Sequence, residues 1–377
     1  MTKLNINQSL TGKPLRKIRV LVAPLDWGLG HATRCIPIIR ELLAQDVDIW
    51  LAGESPQKEL LQQEFPGLPF LPLEGYRVQY ARSGIGLLFS MFRQARKILS
   101  AIKKENDWLK MTIAEHEFDA VISDNRYGLH HPVIPCIFIT HQLTVKSPLG
   151  KWTERILQKR NYQYISRFTE CWVPDMKGEN NLAGILSHPE TKPAVPVYYL
   201  GSLSRFKIKN EPAKNNHLLI ILSGPEPLRS ILENKIIREI AHYPSTATIL
   251  RGLPGSDSII PSTTMIKFYN HLPADKLNNE MEQAAYIISR SGYSTVMDLV
   301  KLKKKSILIP TPGQTEQEYL ADYLSKKQFA FCVPQKEFLL TASLKNAEKF
   351  SYQFPEFDSG QLLPEVISKL LSSLHKR

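Results

Sequence analysis

The chain has 377 residues, 43% of them hydrophobic and 22% charged, with 48 Lys plus Arg against 36 Asp plus Glu for a net charge of +12. That length suggests two domains, each able to bury an ordinary core, and excludes a disordered or low-complexity chain. The surplus of +6 in each half, 25 basic and 19 acidic in residues 1–204 and 23 and 17 in 205–377, excludes a single basic tail and favours anionic partners bound at local patches.

Residues 1–17 read as an N-terminal extension without the apolar stretch of a secretory signal, and no apolar run reaches the ~20 residues that cross a bilayer. Cys35, Cys136, Cys171 and Cys332 are widely spaced, which argues for reduced thiols in a cytoplasmic protein rather than a disulfide framework or a zinc site. From residue 18 onwards, short β-branched runs alternate with helical periodicity, the pattern of parallel α/β architecture. Strands are predicted at 18–23, 47–52, 119–123 and 135–139, and Ile36, Ile39, Leu42 and Leu43 mark the first helix. The polar stretch 205–216 has the composition of a linker. The pattern then restarts, with strands at 218–222, 246–250, 286–289 and 306–309 and helices near 228–241, 295–301 and 317–326. This divides the chain into a first Rossmann-like domain over 18–204, a second over 217–345, and a helical tail over 346–377. Doubly wound sheets bind ligands in loops at the carboxyl ends of their strands, so the chemistry is expected there.

Five such loops carry suitable residues. Asp26-Trp27-Gly28-Leu29-Gly30-His31-Ala32-Thr33-Arg34 follows the first strand and opens a helix. Gly28 and Gly30 allow a tight turn and close approach to a ligand, but no dinucleotide fingerprint or Walker A loop is formed. His31 can take a proton, contact a phosphate or simply cap the helix. Asp124, in Ser123-Asp124-Asn125-Arg126-Tyr127-Gly128, can act as a general base or cap a neighbouring loop, and Thr140-His141-Gln142 follows the next strand. Ser223 and Gly224, in Leu222-Ser223-Gly224-Pro225-Glu226-Pro227, suit a phosphate or a plain turn. In Arg290-Ser291-Gly292-Tyr293-Ser294-Thr295-Val296-Met297-Asp298, the small residues at a helix start form an anion cradle, and Asp298 can accept hydrogen bonds from a ribose diol. Gln317 and Glu318, in the loop that begins Pro310-Thr311-Pro312-Gly313, can meet sugar hydroxyls or serve only as early helix residues. Asp46-Val47-Asp48 imitates a metal-binding D-x-D but starts a strand, on the wrong edge of the sheet, so no metal is expected.

Taken in order, these loops resemble the GT-B nucleotide-sugar glycosyltransferases with a family 28-type C-terminal domain. That family includes the transferases that add N-acetylglucosamine to the lipid-linked peptidoglycan precursor. The resemblance spans roughly residues 18–335 and is most specific at Arg290-Ser291-Gly292, Thr295-Val296, Asp298, Pro310 and Gln317-Glu318-Tyr319. It implies two facing Rossmann-like domains, the first for the acceptor and the second for a UDP-sugar donor. Ser291 and Gly292, with Thr295 beside them, would hold the diphosphate, Asp298 the ribose, and Gln317 and Glu318 the sugar. Asp298 stands where the family usually has Glu, and Glu318 where a second Gln is common. Arg251 and Arg290 are candidates to neutralise the leaving diphosphate. The expected reaction is metal-independent inverting transfer of a hexose or N-acetylhexosamine to a hydroxyl, with His31 or Asp124 as base and no cofactor. Gly28-Leu29-Gly30-His31 with Arg34-Cys35 is also similar to the loop of the UDP-sugar hydrolases of pseudaminic acid biosynthesis, which makes hydrolysis the alternative.

Residues 86–110 combine Leu87, Leu88, Phe89, Met91, Phe92, Ile98, Leu99 and Ile102 with six basic side chains against Glu105 and Asp107. Residues 146–167 add six basic side chains against Glu154. Such helices either lie on anionic lipid, which implies a lipid-linked acceptor and peripheral attachment to the cytoplasmic face, or present an ordinary solvated face. Nucleic acid is not an expected partner, because no recognisable module or basic surface interleaved with aromatics is found.

Overall fold

The computed structural model describes residues 16–77, 87–209, 216–254, 256–356 and 361–375, and for residues 87–95 the backbone alone. Two wholly parallel sheets organise it. The first contains β1 (Arg19–Pro24), β2 (Asp48–Gly53), β3 (Phe70–Pro72), β4 (Ala120–Asp124), β5 (Cys136–Ile139), β6 (Glu170–Val173) and β7 (Val197–Tyr199), in the order β3-β2-β1-β4-β5-β6-β7. Its helices are α1 (Gly30–Ala44), α2 (Gln57–Glu64), α3 (Leu87–His116) and α4 (Lys151–Ile165). The second contains β8 (Leu218–Ile221), β9 (Ala247–Leu250), β10 (Ile266–Tyr269), β11 (Tyr286–Ser289), β12 (Ser306–Leu308) and β13 (Phe331–Cys332), in the order β10-β9-β8-β11-β12-β13. It carries α5 (Leu228–Ile240), α6 (Ala274–Gln283), α7 (Tyr293–Lys301), α8 (Thr315–Lys326) and α9 (Leu340–Lys349); α10 (Leu362–Leu374) follows.

The central strands are buried on both faces, which explains their unbroken apolar runs: Val20, Leu21, Val22 and Ala23 in β1, and Leu218, Leu219 and Ile220 in β8, are sealed from solvent. In each sheet the strand order reverses beside the first strand, between β1 and β4 and between β8 and β11. Loops diverge at such points and leave a crevice above the strand ends.

The two sheets share one apolar core. Ile36 and Ile39 of α1, Val296 and Met297 of α7, and Leu320 and Leu324 of α8 belong to a single buried cluster. The helix α10 returns to the first sheet rather than trailing from the second. Its Ile367, Leu370 and Leu371 enter that same core, Ser368 donates to Gln45 at 3.0 Å, and Lys369 reaches Tyr198 at 2.5 Å. Burying three such side chains contributes on the order of 1.5–3 kcal/mol each.

Asp46 and Asp48, the D-x-D imitation, are held by cations: Asp46 by Lys17 and Asp48 by Arg19 at 2.6 Å. In the basic stretch 86–110, the side chains of 87–95 lie outside the described residues. Farther along α3, Leu99 is exposed while Ile102 and Leu109 are buried. Glu105, one of the two acids counted against the basic side chains of this stretch, is buried and pairs with Arg126 while accepting the Tyr76 hydroxyl at 2.7 Å.

Candidate active site

The reversal point of the first sheet, between β1 and β4, brings His31 and Asp124 together. His31 is the second residue of α1 and Asp124 the last of β4, and His31 Nδ1 lies 3.0 Å from Asp124 Oδ1. Arg34, one turn along α1 on the same face, donates through Nε to Asp124 Oδ2 at 2.6 Å and through Nη2 to Oδ1. Arg34 Nη2 also lies 2.9 Å from His31 Nδ1. The carboxylate decides the His31 tautomer: a lone pair on Nδ1 would face an anion, whereas Arg34 has Asp124 to donate to in either case. The proton therefore sits on Nδ1, and Nε2 keeps its lone pair.

Electrostatics keep this arrangement in the basic form. Burial, then the Arg34 guanidinium, pushes the His31 pKa down, and Asp124 only partly offsets them. At Asp124 burial works against ionisation, but Arg34 and His31 prevail and hold the carboxyl well below the usual range. The imidazole is thus neutral near pH 7, with an anion behind it ready to stabilise the imidazolium. His31 keeps 13% of its side chain exposed, whereas Asp124 has none. Of the two bases considered from the sequence, His31 has the reachable lone pair, and Asp124 is sealed behind it as its partner. Burial pushes the Cys35 thiol well up, and its Sγ lies 3.6 Å from Asp124 Oδ2.

Across from this pair stand the loops of the second sheet. Ser294 Oγ donates to the Gly30 carbonyl at 3.0 Å, and a Cβ on Gly30 would come within 2.7 Å of that hydroxyl, so glycine permits the approach. Gly28 adopts φ +73° and its carbonyl accepts Gln57 Nε2 at 3.0 Å. Tyr293 stacks on His141 (4.2 Å between centroids, 3° between planes) and donates to the Pro174 carbonyl at 2.7 Å.

The loops after β8, β11 and β12 converge on a second locus. Arg290 is buried and donates to the carbonyls of Leu228 (2.9 Å), Ile309 and Pro310 (both 3.3 Å), but its Nε has no partner among the described residues. Burial alone lowers its pKa to about 10. Thr311 Oγ1 is likewise buried and without a partner among the described residues. Both face Gly224, where a Cβ would lie 3.4 Å from Thr311 Oγ1 and 3.9 Å from Arg290 Nε at φ +100°. Ser223 and Gly224 are exposed, Ser291 is buried with its hydroxyl on the Gln317 carbonyl at 2.8 Å, and Gly292 caps α7, whose first-turn N–H groups have no intrahelical partners. Thr295 is half-buried in that first turn.

Other residues proposed from the sequence are already engaged. Arg251 is not available to a diphosphate. Its Nε meets Glu233 at 2.6 Å and its Nη1 the Ser258 carbonyl and Asn270, so its charge is balanced inside the domain beside Arg229. Gln317 Oε1 accepts the Thr311 N–H at 2.9 Å and Glu318 Oε1 the Gly313 N–H at 2.9 Å, so both side chains shape the loop backbone. Asp298 accepts the Ser204 hydroxyl at 2.6 Å. The sequence reading assigned no role to Arg34, Thr311, Tyr293 or Glu316, though the i, i+3 spacing from His31 to Arg34 was a usable signal.

Residues 263–357 match the family model described as the glycosyltransferase family 28 C-terminal domain. The chain is 23% identical over 330 residues to a UDP-N-acetylglucosamine–N-acetylmuramyl-(pentapeptide) pyrophosphoryl-undecaprenol N-acetylglucosamine transferase of Microcystis aeruginosa, covering 85% of this chain and 84% of the relative. The protein of that name from Bradyrhizobium diazoefficiens is 33% identical over 84 residues, 22% of each chain. Among solved structures, the glycotransferase of kitacinnamycin superposes with a TM-score of 0.60 at 14% identity over 96% of both chains. Acinetobacter baumannii MurG gives 0.51 at 13% identity over 96% of this chain and 95% of that one. With its two facing parallel sheets and a family 28-type C-terminal domain, the chain is a glycosyltransferase of the GT-B architecture.

Proposed function

We propose that the protein transfers a hexose or N-acetylhexosamine from a UDP-sugar to an acceptor hydroxyl in one inverting displacement. The observation that carries this is the His31–Asp124 pair, a neutral imidazole backed by a buried anion, set against the loops of the second sheet. His31 Nε2 takes the acceptor proton while the oxygen attacks C1, and the bond from C1 to the diphosphate breaks on the opposite face. The leaving charge has a receptive locus in Arg290 Nε, Thr311 Oγ1 and the N–H groups at the start of α7, grouped around Gly224. Asp298 is the candidate for the ribose, and Gln317 and Glu318 for the sugar once the loop opens to it. These residues can supply the electrostatics themselves, and no metal is invoked.

The proposed acceptor is lipid-linked. Leu149, just before α4, and Trp152 and Ile156 within it are exposed, at 56%, 72% and 43%, beside exposed Lys151, Arg155 and Lys159. Asn161 of α4 donates to the Gln142 carbonyl at 3.0 Å, and Thr315 of α8 reaches the Lys146 carbonyl at 3.2 Å, so this patch is tied to the loop beside the cleft. Among the described residues no helix is long and apolar enough to cross a membrane, which suits docking at the surface of one.

The test offers UDP-, GDP- and dTDP-sugars to the protein with and without a lipid extract. Lipid-dependent transfer supports the reading, and fast hydrolysis unaffected by lipid overturns it. Replacing His31 with Ala is expected to reduce transfer about 10²–10⁴-fold while UDP still binds. Unchanged turnover removes His31 from the mechanism.

A further inference from the structure

Glu316, the second residue of α8, belongs to the second domain, yet both of its oxygens are taken by the first. Oε1 accepts from His141 Nε2 at 2.8 Å, and Oε2 accepts from Gln142 Nε2. On the other edge of the ring, His141 Nδ1 lies 3.1 Å from Arg34 Nη1. A guanidinium only donates and a carboxylate only accepts, so together they fix His141 as the neutral ring with its proton on Nε2. Burial opposes ionisation of Glu316, but the contact with His141 outweighs it and lowers the carboxyl's pKa. Tyr293, also from the second domain, covers the flat face of the same ring.

Arg34 then passes the constraint on, because its remaining donors bind Asp124, which receives His31 Nδ1–H. An unbroken sequence of contacts runs from Glu316 through His141, Arg34 and Asp124 to His31. Arg34 and Asp124 are sealed from solvent and His141 nearly so, which leaves little room to relax if one member is lost. The charged and titratable groups facing His31 are Arg34 from its own helix, Asp124 from β4, His141 from the loop after β5 and Glu316 from α8.

We propose that Glu316 and His141 are positioning residues, through which contact between the two domains sets the orientation of the His31 base. This rests on the reading of His31 as base. When the domains part, His141 loses both the anion and the ring that hold it, and Arg34 Nη1 loses a fixed acceptor. Arg34 then holds Asp124 less firmly, and Asp124 is the group that aims Nε2. The base is assembled only when donor and acceptor halves meet, so water in an open cleft finds it poorly aligned.

A double-mutant cycle tests the proposal on the full chain, reading UDP release from UDP-N-acetylglucosamine or whichever sugar nucleotide of the panel the wild type turns over. Glu316→Ala is expected to lower kcat on the order of tenfold with little change in donor KM. In the His31→Ala background the same change should cost nothing further, because its target is gone. Glu316→Gln, which keeps one accepting oxygen, should recover part of the loss. An equal loss from Glu316→Ala in both backgrounds overturns the proposal, since a purely structural role is indifferent to His31. If His31→Ala alone leaves turnover intact, the base reading itself fails, which is a distinguishable result. Ring ¹⁵N spectra give a readout independent of activity. The wild type should show Nδ1–H on His31 and Nε2–H on His141, and Glu316→Ala should perturb both. A His31 signal unmoved by Glu316→Ala also overturns the proposal.

Discussion

Asp298 shows how a single carboxyl can couple binding to pH. Burial pushes its pKa up to about 6, although Arg205 and the Ser204 hydroxyl favour the anion. A ribose diol donates its hydrogens best to the ionised form. UDP affinity is therefore expected to rise with pH through about 6, weakening up to tenfold per pH unit below it. Titration of UDP at several values between about pH 5 and 7.5 checks this, and a flat profile removes Asp298 from the nucleotide site. The stability effect has the opposite sign. Between about pH 4 and 6 the folded chain retains a proton that the unfolded chain has released, so this group stabilises the fold less as pH rises through that window. Asp298→Asn should bind UDP weakly at every pH and should melt no lower than the wild type above pH 6.

At the scale of elements, the site is made by what lies between strands and helices. Gly224 illustrates it: φ +100° is a conformation that disfavours a side chain, and a Cβ there points at Thr311 Oγ1 and Arg290 Nε. Gly224→Ala should cost about 1–3 kcal/mol of stability from backbone strain. It should also weaken UDP binding on the order of tenfold by filling the space the two unpartnered groups face. Calorimetric titration and thermal melting measure the two separately, and normal UDP affinity in a folded variant would move the diphosphate elsewhere. The central strands and their following loops were legible in the sequence because buried parallel strands are continuous apolar runs, and β11 spans Tyr286–Ser289 as expected. Edge strands such as Phe70–Pro72 and Phe331–Cys332, only three and two residues long, are too short to give a period and were missed. His31, Asp124 and Arg290 could be read from their places after strands, but their partners could not. The links from His141 to Glu316 and from Ser294 to Gly30 span 175 and 264 positions in the chain. No local pattern encodes such a pairing. Arg251 misled for the same reason, since its acidic neighbour Glu233 lies on another element.

At the scale of the molecule, the question is where the +12 charge acts. Little of it is internal: Arg34, Arg126, Arg229 and Arg251 are buried, but they are paired with Asp124, Glu105 and Glu233 and so largely cancel. The exposed surplus on α4 is different, because Lys151, Arg155 and Lys159 recur every fourth residue beside Trp152 and Ile156. A tryptophan exposed at 72% is hard to justify in water alone, whereas its ring suits the boundary between headgroups and acyl chains. Each nearby cation adds about 1 kcal/mol of attraction to an anionic surface at low salt, so three suffice for reversible binding but not for anchoring. The full chain should therefore co-sediment with vesicles containing phosphatidylglycerol at low salt, bind phosphatidylcholine vesicles weakly, and leave both as salt rises. Trp152→Glu combined with Arg155→Glu should abolish vesicle binding while UDP affinity stays unchanged, because α4 belongs to the first sheet and not to the loops after β8, β11 and β12. If that variant sediments with anionic vesicles as the wild type does, α4 is an ordinary solvated helix. Lipid contact would then have to come from elsewhere on the protein, and a lipid-linked acceptor would lose its structural support.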